Sequence, residues 1–138
     1  MTDQQINLFR SKVSDDWATP KWLYDQLDAE FHFDLDPCPL NPTFDGLKIP
    51  WYGNAYVNSP YSKVRGFLAK AHAELRAGRA QTVVFLVFAN TDTDWFHTYV
   101  YHQAEIRFLK GRIKFVAPGK NNSAMRPSML VIFRSKIA

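Results

Sequence analysis

Four consecutive residues, Asn58-Ser59-Pro60-Tyr61, interrupt a short apolar run, Ala55-Tyr56-Val57, and combine side chains suited to gripping a planar amino compound. An Asn placed directly after a buried strand can turn its amide oxygen into a crevice, and the neighbouring Ser59 carbonyl adds a second acceptor, so that both N–H bonds of one NH2 group can be held. Pro60 fixes the backbone, and Tyr61 offers a flat face on which a base gains about 1 to 3 kcal/mol by stacking. Taken alone the tetrapeptide is also an ordinary turn, because Asn, Ser and Pro are common turn residues.

The chemistry that such a grip allows is attack by an exocyclic amino nitrogen. Its lone pair is delocalised into the ring, which makes it a poor nucleophile. Hydrogen bonds from its two N–H groups favour a more pyramidal nitrogen and stabilise the charge gained on attack. No strong general base is then required. The donor must be electrophilic and held in line, a condition met by the sulfonium methyl group of S-adenosylmethionine.

The elements that must position these residues are legible in the periodicities. Residues 1–16 show little pattern and read as an irregular arm. Thr19 is expected as N-cap and Pro20 as the first residue of a helix whose Leu23, Leu27 and Phe31 share one face. Alternation in FHFDLDP predicts a strand stopped by Pro37, and residues 37–53 a long ordered loop. NAYVN reads as a short strand. SKVRGFLAKAHAELRAG reads as an amphipathic helix with Val64, Phe67, Leu68, Ala71 and Leu75 on one stripe, closed by Gly78. QTVVFLVFA is the most apolar segment and is expected as a central strand buried on both faces. Helical character returns in TDWFHTYVYHQ. AEIRFLKGRIKFV then suggests a hairpin turning at Lys110-Gly111, APGKNNSAMRP a polar loop, and SMLVIFRS a last strand.

Alternating strands and helices imply a single α/β domain with a mainly parallel sheet and an antiparallel C-terminal hairpin. Ligands of such sheets sit at the carboxyl ends of the strands. Asp36 and Asn58 both fall at predicted strand ends, and they face one crevice if those strands are neighbours. Asp36 reads either as a strand-end turn residue or as a ligand for a cationic sulfonium and a ribose diol.

Charge is divided along the chain. Residues 1–46 hold nine acidic against three basic residues, whereas from Arg107 onward there are eight basic residues and no acidic one. The basic end reads as a solvated face or as a surface for a polyanion, whose phosphates release counterions when neutralised. One cysteine and four scattered histidines give no metal-ligand spacing, so no metal is expected. The polar start and the lack of a long apolar run point to a soluble, cytoplasmic protein with no membrane span. Trp51, Trp95 and Trp22 are expected as packing, Cys38 likewise, and the histidines as surface or satisfied core residues.

The ordered set WATPKWLYDQL, FHFDLDPC, DGLKIPW, AYVNSPYS, GRIKF and SMLVIF resembles the small phage-type Dam-like DNA N6-adenine methyltransferases over about residues 17 to 134. The resemblance implies a compact Rossmann-like class I methyltransferase fold acting in the cytoplasm of a bacterial host, as monomer or homodimer. It implies S-adenosylmethionine as cofactor and Asn58, Ser59, Pro60 and Tyr61 as the loop receiving a flipped-out adenine. It further implies that Trp17, Thr19, Pro20, Asp36, Pro37 and Cys38, with Asp45, border the cofactor pocket. Extruding a base costs a few kcal/mol, and phosphate contacts hold the distorted strand. Lys63, Arg112, Lys114, Lys120 and Arg126 are the candidates for those contacts with DNA.

Three departures stand out: Ser59 replaces the family's usual proline, Pro37-Cys38-Pro39 occupies the place of a Gly-x-Gly loop, and only 21 residues separate Asp36 from Asn58. A shallow cofactor pocket, or one completed by a second subunit, is the expectation. Related loops act on cytosine N4 or on glutamine, so RNA adenine, cytosine N4 and protein glutamine stand as alternative targets, and a DNA-binding fold without catalysis as another reading.

Overall fold

The structure, a computed structural model, describes residues 18–117, 120–123 and 126–136. Helix α1 (Lys21–Phe31) buries Leu23, Leu27 and Phe31 as their spacing predicts. Strand β1 (Gly53–Val57) is followed by a 3₁₀ turn (Tyr61–Lys63), helix α2 (Val64–Arg76) and strand β2 (Ala80–Phe88). A π-helical turn (Phe96–Val100) leads to β3 (Glu105–Phe108), β4 (Lys114–Ala117), β5 (Lys120–Ser123) and β6 (Ser128–Arg134).

The main sheet has the order β1-β2-β6-β3. β1 runs parallel to β2, and β6 is antiparallel to both β2 and β3, so β1, β2 and β3 share one direction but the sheet is mixed rather than mainly parallel as expected, because β6 inserts between β2 and β3. Parallel pairing of β1 and β2 requires a crossover, which α2 supplies. Gly78, at φ 77°, follows the end of α2 in the left-handed conformation that glycine adopts without strain.

Both faces of the sheet are buried, which explains the continuous apolar run of β2. Val83, Phe85 and Val87 pack with Val64, Phe67, Leu68 and Ala71 of α2 and with Trp51, Trp95 and Phe96. Val84 and Leu86 face the other way, toward Leu23, Leu27 and Phe31 of α1 and toward Ile113 and Phe115. The period of two along β2 thus feeds two cores from one strand.

Several expectations are corrected. FHFDLDP is not a regular strand: only Leu35 bridges Ala55, in parallel. The Asp34 N–H donates to the Asn54 carbonyl at 2.7 Å and the Tyr56 N–H to the Leu35 carbonyl at 3.0 Å, and side chains supplement these few backbone bonds. Asp28 accepts from the Phe33 N–H and Asp34 from the Asn54 N–H, both at 2.9 Å, while Asn54 Nδ2 donates to the Phe31 carbonyl at 2.8 Å. The Asp34 carboxylate lies where a Cβ at residue 53 would project, and Gly53 is at φ 74°, so that position requires glycine.

The hairpin expected at Lys110-Gly111 is also displaced. β3 pairs with β6 in the main sheet, while β4 pairs with β5 in a separate two-stranded sheet. The polar segment read as a loop therefore contains β5, and the hairpin lies one strand further along than the pattern indicated. Trp22 is 54% exposed and is not a packing residue. Trp51 and Trp95 are core residues, as expected.

Candidate active site

The carboxyl ends of the parallel segments line up along one edge of the sheet. Asp36 follows the Leu35 bridge, Asn58 follows β1 and Asn90 closely follows β2, with Ser128 opening the antiparallel β6 beside Phe88. The Ala89 N–H donates to the Pro127 carbonyl at 2.8 Å and the Leu109 N–H to the Ser128 carbonyl at 3.1 Å, which ties this edge together across three strands.

Four buried polar atoms here have no hydrogen-bond partner among the described residues: Asp36 Oδ2, Ser59 Oγ, Asn90 Nδ2 and Ser128 Oγ. Native interiors leave few such groups, because each costs free energy unless something satisfies it. Their position along one sheet edge makes that edge the candidate place for a polar ligand. Asp36 is the most telling. Its Oδ1 accepts the Cys38 N–H at 2.9 Å, but burial outweighs that bond and pushes its pKa from 3.8 up to about 7. A cation or a pair of hydroxyl donors at Oδ2 would reverse the penalty.

Asn58 stands on the α1 side of the edge. Its Nδ2 donates to Thr19 Oγ1 at 3.3 Å, and Thr19 Oγ1 also makes a hydrogen bond with the buried Tyr56 hydroxyl. Thr19 is therefore not the helix N-cap expected from the sequence. That place belongs to Pro20, whose carbonyl accepts from the Leu23 and Tyr24 N–H groups at 3.1 Å each. Pro60 is buried, and its carbonyl accepts the Lys63 N–H at 2.9 Å to close the 3₁₀ turn. Tyr61 is 44% exposed, and its ring lies 6.3 Å from that of Phe88, which in turn meets Phe115 edge-on at 6.5 Å. Phe88 and Phe115 are aromatic neighbours of the loop that the sequence did not single out. The apolar positions of β2 and β4 were visible, but not that they meet.

The other predicted residues divide. Pro37 is buried, and its carbonyl is packed so closely against Gly46 that a Cβ there would overlap it. Trp51 Nε1 donates to the Gly46 carbonyl at 2.8 Å, so the loop after Asp36 is clamped from below. Asp45 is exposed and uses its carboxylate within its own turn, accepting the Leu47 N–H at 2.9 Å. Cys38 packs against the α2-side core. Trp17 lies outside the described residues, as does the arm before it.

Lys63, Arg112, Lys114 and Arg126 are exposed, and Lys120 opens β5. Two basic residues of the C-terminal third are committed elsewhere. Arg107 makes a bidentate bond with Glu30 at 2.7 and 2.8 Å and a further one with Glu105 at 2.5 Å, and Arg134 bonds Glu105 at 2.6 Å. The basic run is thus less available to a polyanion than its sequence suggests. His72 bonds the Tyr99 carbonyl and His97 the Thr91 carbonyl, each at 2.8 Å. Among the described residues no three His, Cys, Asp or Glu side chains gather as a metal site, and no helix is long and apolar enough to cross a membrane.

Comparison with known proteins gives one family: the model described as DNA N-6-adenine-methyltransferase (Dam) matches residues 7–138. No curated protein and no solved structure matches the chain.

Proposed function

The chain belongs to the DNA N-6-adenine-methyltransferase (Dam) family, and from that premise we propose that it methylates the N6 amino group of an adenine extruded from DNA, with S-adenosylmethionine as donor. The observation that carries this reading is the row of unmatched buried polar atoms at the sheet edge, beside the Asn58 to Tyr61 loop. A Rossmann-like methyltransferase fold is the architecture we assign, supported by the parallel β1-α2-β2 unit and by the strand direction shared with β3.

The residues fit the cofactor. The unpartnered Asp36 Oδ2 is an acceptor for ribose hydroxyls or a counter-charge for a cation, and Pro20, Pro37 and Cys38 lie in the segments that flank it. When bound, S-adenosylmethionine supplies an electrophilic methyl carbon. The Asn58 amide oxygen and the Ser59 carbonyl accept the two amino N–H bonds of adenine and direct the nitrogen lone pair out of the ring plane. Tyr61 stacks on the base, and Phe88 behind it supports the ring. The bound donor would supply the methyl carbon and keep the electron pair of the C–S bond, while Asn58 and the Ser59 carbonyl would hold the amino nitrogen as it gives up one proton to water. Positioning and charge stabilisation carry the rate, so no basic side chain is needed beside the nitrogen.

Lys63, Arg112, Lys114, Lys120 and Arg126 supply the phosphate contacts in this reading, with Lys63 two residues from the stacking Tyr61. Ser59 keeps the backbone acceptor that the motif requires, while its hydroxyl is a further buried group for the ligand to satisfy. Asp45 is assigned to its turn, and only indirectly to the pocket. Isothermal calorimetry tests the reading: S-adenosylmethionine binds the wild type, and Asp36→Asn weakens it at least tenfold. Absence of any binding by the wild-type protein would contradict it.

A further inference from the structure

We infer that Thr19 is a positioning residue for Asn58: with Tyr56 it forms a hydrogen-bonded chain that fixes which end of the Asn58 amide faces the substrate. The inference rests on the proposed role of Asn58 as acceptor for the target amino group, and it goes further by saying what keeps that acceptor in place.

An asparagine side chain can rotate by half a turn and exchange its oxygen for its NH2 group with little change of shape. At this position the exchange would be decisive. The oxygen accepts from the amino nitrogen, whereas the NH2 group would present donors to donors. The described structure shows a contact that favours one orientation of the amide. Asn58 Nδ2 donates to Thr19 Oγ1 at 3.3 Å, which leaves the oxygen turned to the other side of the amide. Thr19 Oγ1 has one proton and two lone pairs, and it is also bonded to the Tyr56 hydroxyl.

Tyr56 is fully buried, with Tyr24 and Phe33 packed against its ring at centroid distances of 5.3 Å each. Burial raises its ionisation well above the ordinary tyrosine range, with the nearby Asp36 and Tyr24 adding to the effect against the Thr19 bond, so its hydroxyl stays protonated at every working pH. Thr19 itself is anchored by the chain direction that Pro20 imposes at the start of α1. The chain therefore runs from a rigid aromatic cluster through Thr19 to the loop. A threonine whose hydroxyl is engaged in this way acts on the amide rather than on the cofactor.

The test is steady-state methylation of adenine-containing duplex DNA by the full-length protein and its variants, with S-adenosylmethionine affinity measured separately by calorimetry. Thr19→Val is expected to lower kcat about five- to tenfold, the scale of one hydrogen bond, with cofactor affinity within about twofold of wild type. Thr19→Ser restores kcat, and Tyr56→Phe gives a smaller loss. In amide NMR the Asn58 side-chain NH2 pair, identified by its absence in Asn58→Ala, shifts in Thr19→Val and returns in Thr19→Ser. An unchanged NH2 pair with unchanged kcat in Thr19→Val overturns the inference, as does a loss confined to cofactor affinity. If Thr19→Val fails to fold, Tyr56→Phe and Thr19→Ser decide by the same two readouts. Full activity in Asn58→Ala would remove the proposed function itself, whereas an inactive Asn58→Ala beside a fully active Thr19→Val would remove only the positioning role.

Discussion

Two buried carboxylates sit near opposite ends of the parallel strands and are treated in opposite ways. Glu74, on α2 and ahead of the start of β2, is 1% exposed and bonded by both Lys70 and Arg79. Burial acts to raise its pKa, yet the bonds from Arg79 and Lys70 win and hold it below the usual carboxylate range. Asp36, at the carboxyl end, has one backbone N–H and an unmatched second oxygen, and burial wins. Desolvation acts on both groups, and what differs is the supply of partners. The fold completes the ion cluster at one end and leaves a carboxylate, an amide and two hydroxyls without partners at the other, so its structural charges and its proposed ligand-binding groups lie apart.

That contrast can be broken at either end. Asn58→Ala has the largest expected effect, a fall of about 10²- to 10³-fold in kcat, the scale seen when one charge-stabilising group is removed, with thermal stability unchanged by differential scanning calorimetry. Glu74→Ala should do the reverse. Lys70 and Arg79 retain 18% and 41% side-chain exposure and can reach water, so a loss of about 2 kcal/mol in urea unfolding is expected, less than for a fully buried broken pair, with kcat of the folded fraction preserved.

Asp36 gives a pH signature opposite in sign to that of Glu74, whose lowered pKa makes its contribution fade on acidification. Its folded pKa of about 7 lies above the ordinary 3.8, so the stability it contributes is fully present below about pH 4 and is lost as pH rises through about 7. In ligand-free protein Asp36→Asn should flatten that slope in urea titrations between pH 4 and 8. Affinity for S-adenosylmethionine should strengthen over the same interval in the wild type and not in the variant. The smallest effects belong to the surface cations. Neutralising Arg112 or Arg126 should reduce the salt dependence of DNA binding by about one unit of slope each, whereas Arg107→Gln should alter stability through Glu30 and Glu105 and leave that slope nearly unchanged.

Much of this arrangement was legible wherever a regular period coincided with burial. The Leu23, Leu27 and Phe31 stripe, the α2 face and the run of β2 all read correctly, because each side chain reports the face that it occupies. Alternation misled in part at residues 31–37, where pairing with β1 is limited to the Leu35 bridge and the backbone bonds around it, and Asp28, Asp34 and Asn54 side chains supply the rest. Lys110-Gly111 is a turn, with Gly111 at φ 75°, but a turn signal does not say which strands it joins. The pairing of β3 with β6 is set by distant residues. The role proposed for Asn58 draws on its neighbours in the chain. Its link to Thr19, 39 residues away, was hidden, since a Thr before a Pro reads first as a helix cap.

The most direct test is transfer of a labelled methyl group from S-adenosylmethionine into duplex DNA, with nucleoside analysis of the product. The wild type should yield N6-methyladenine, and Asn58→Ala should bind the cofactor while yielding at least about 100-fold less. Label found in another nucleoside, or undiminished N6-methyladenine from Asn58→Ala, would contradict the account.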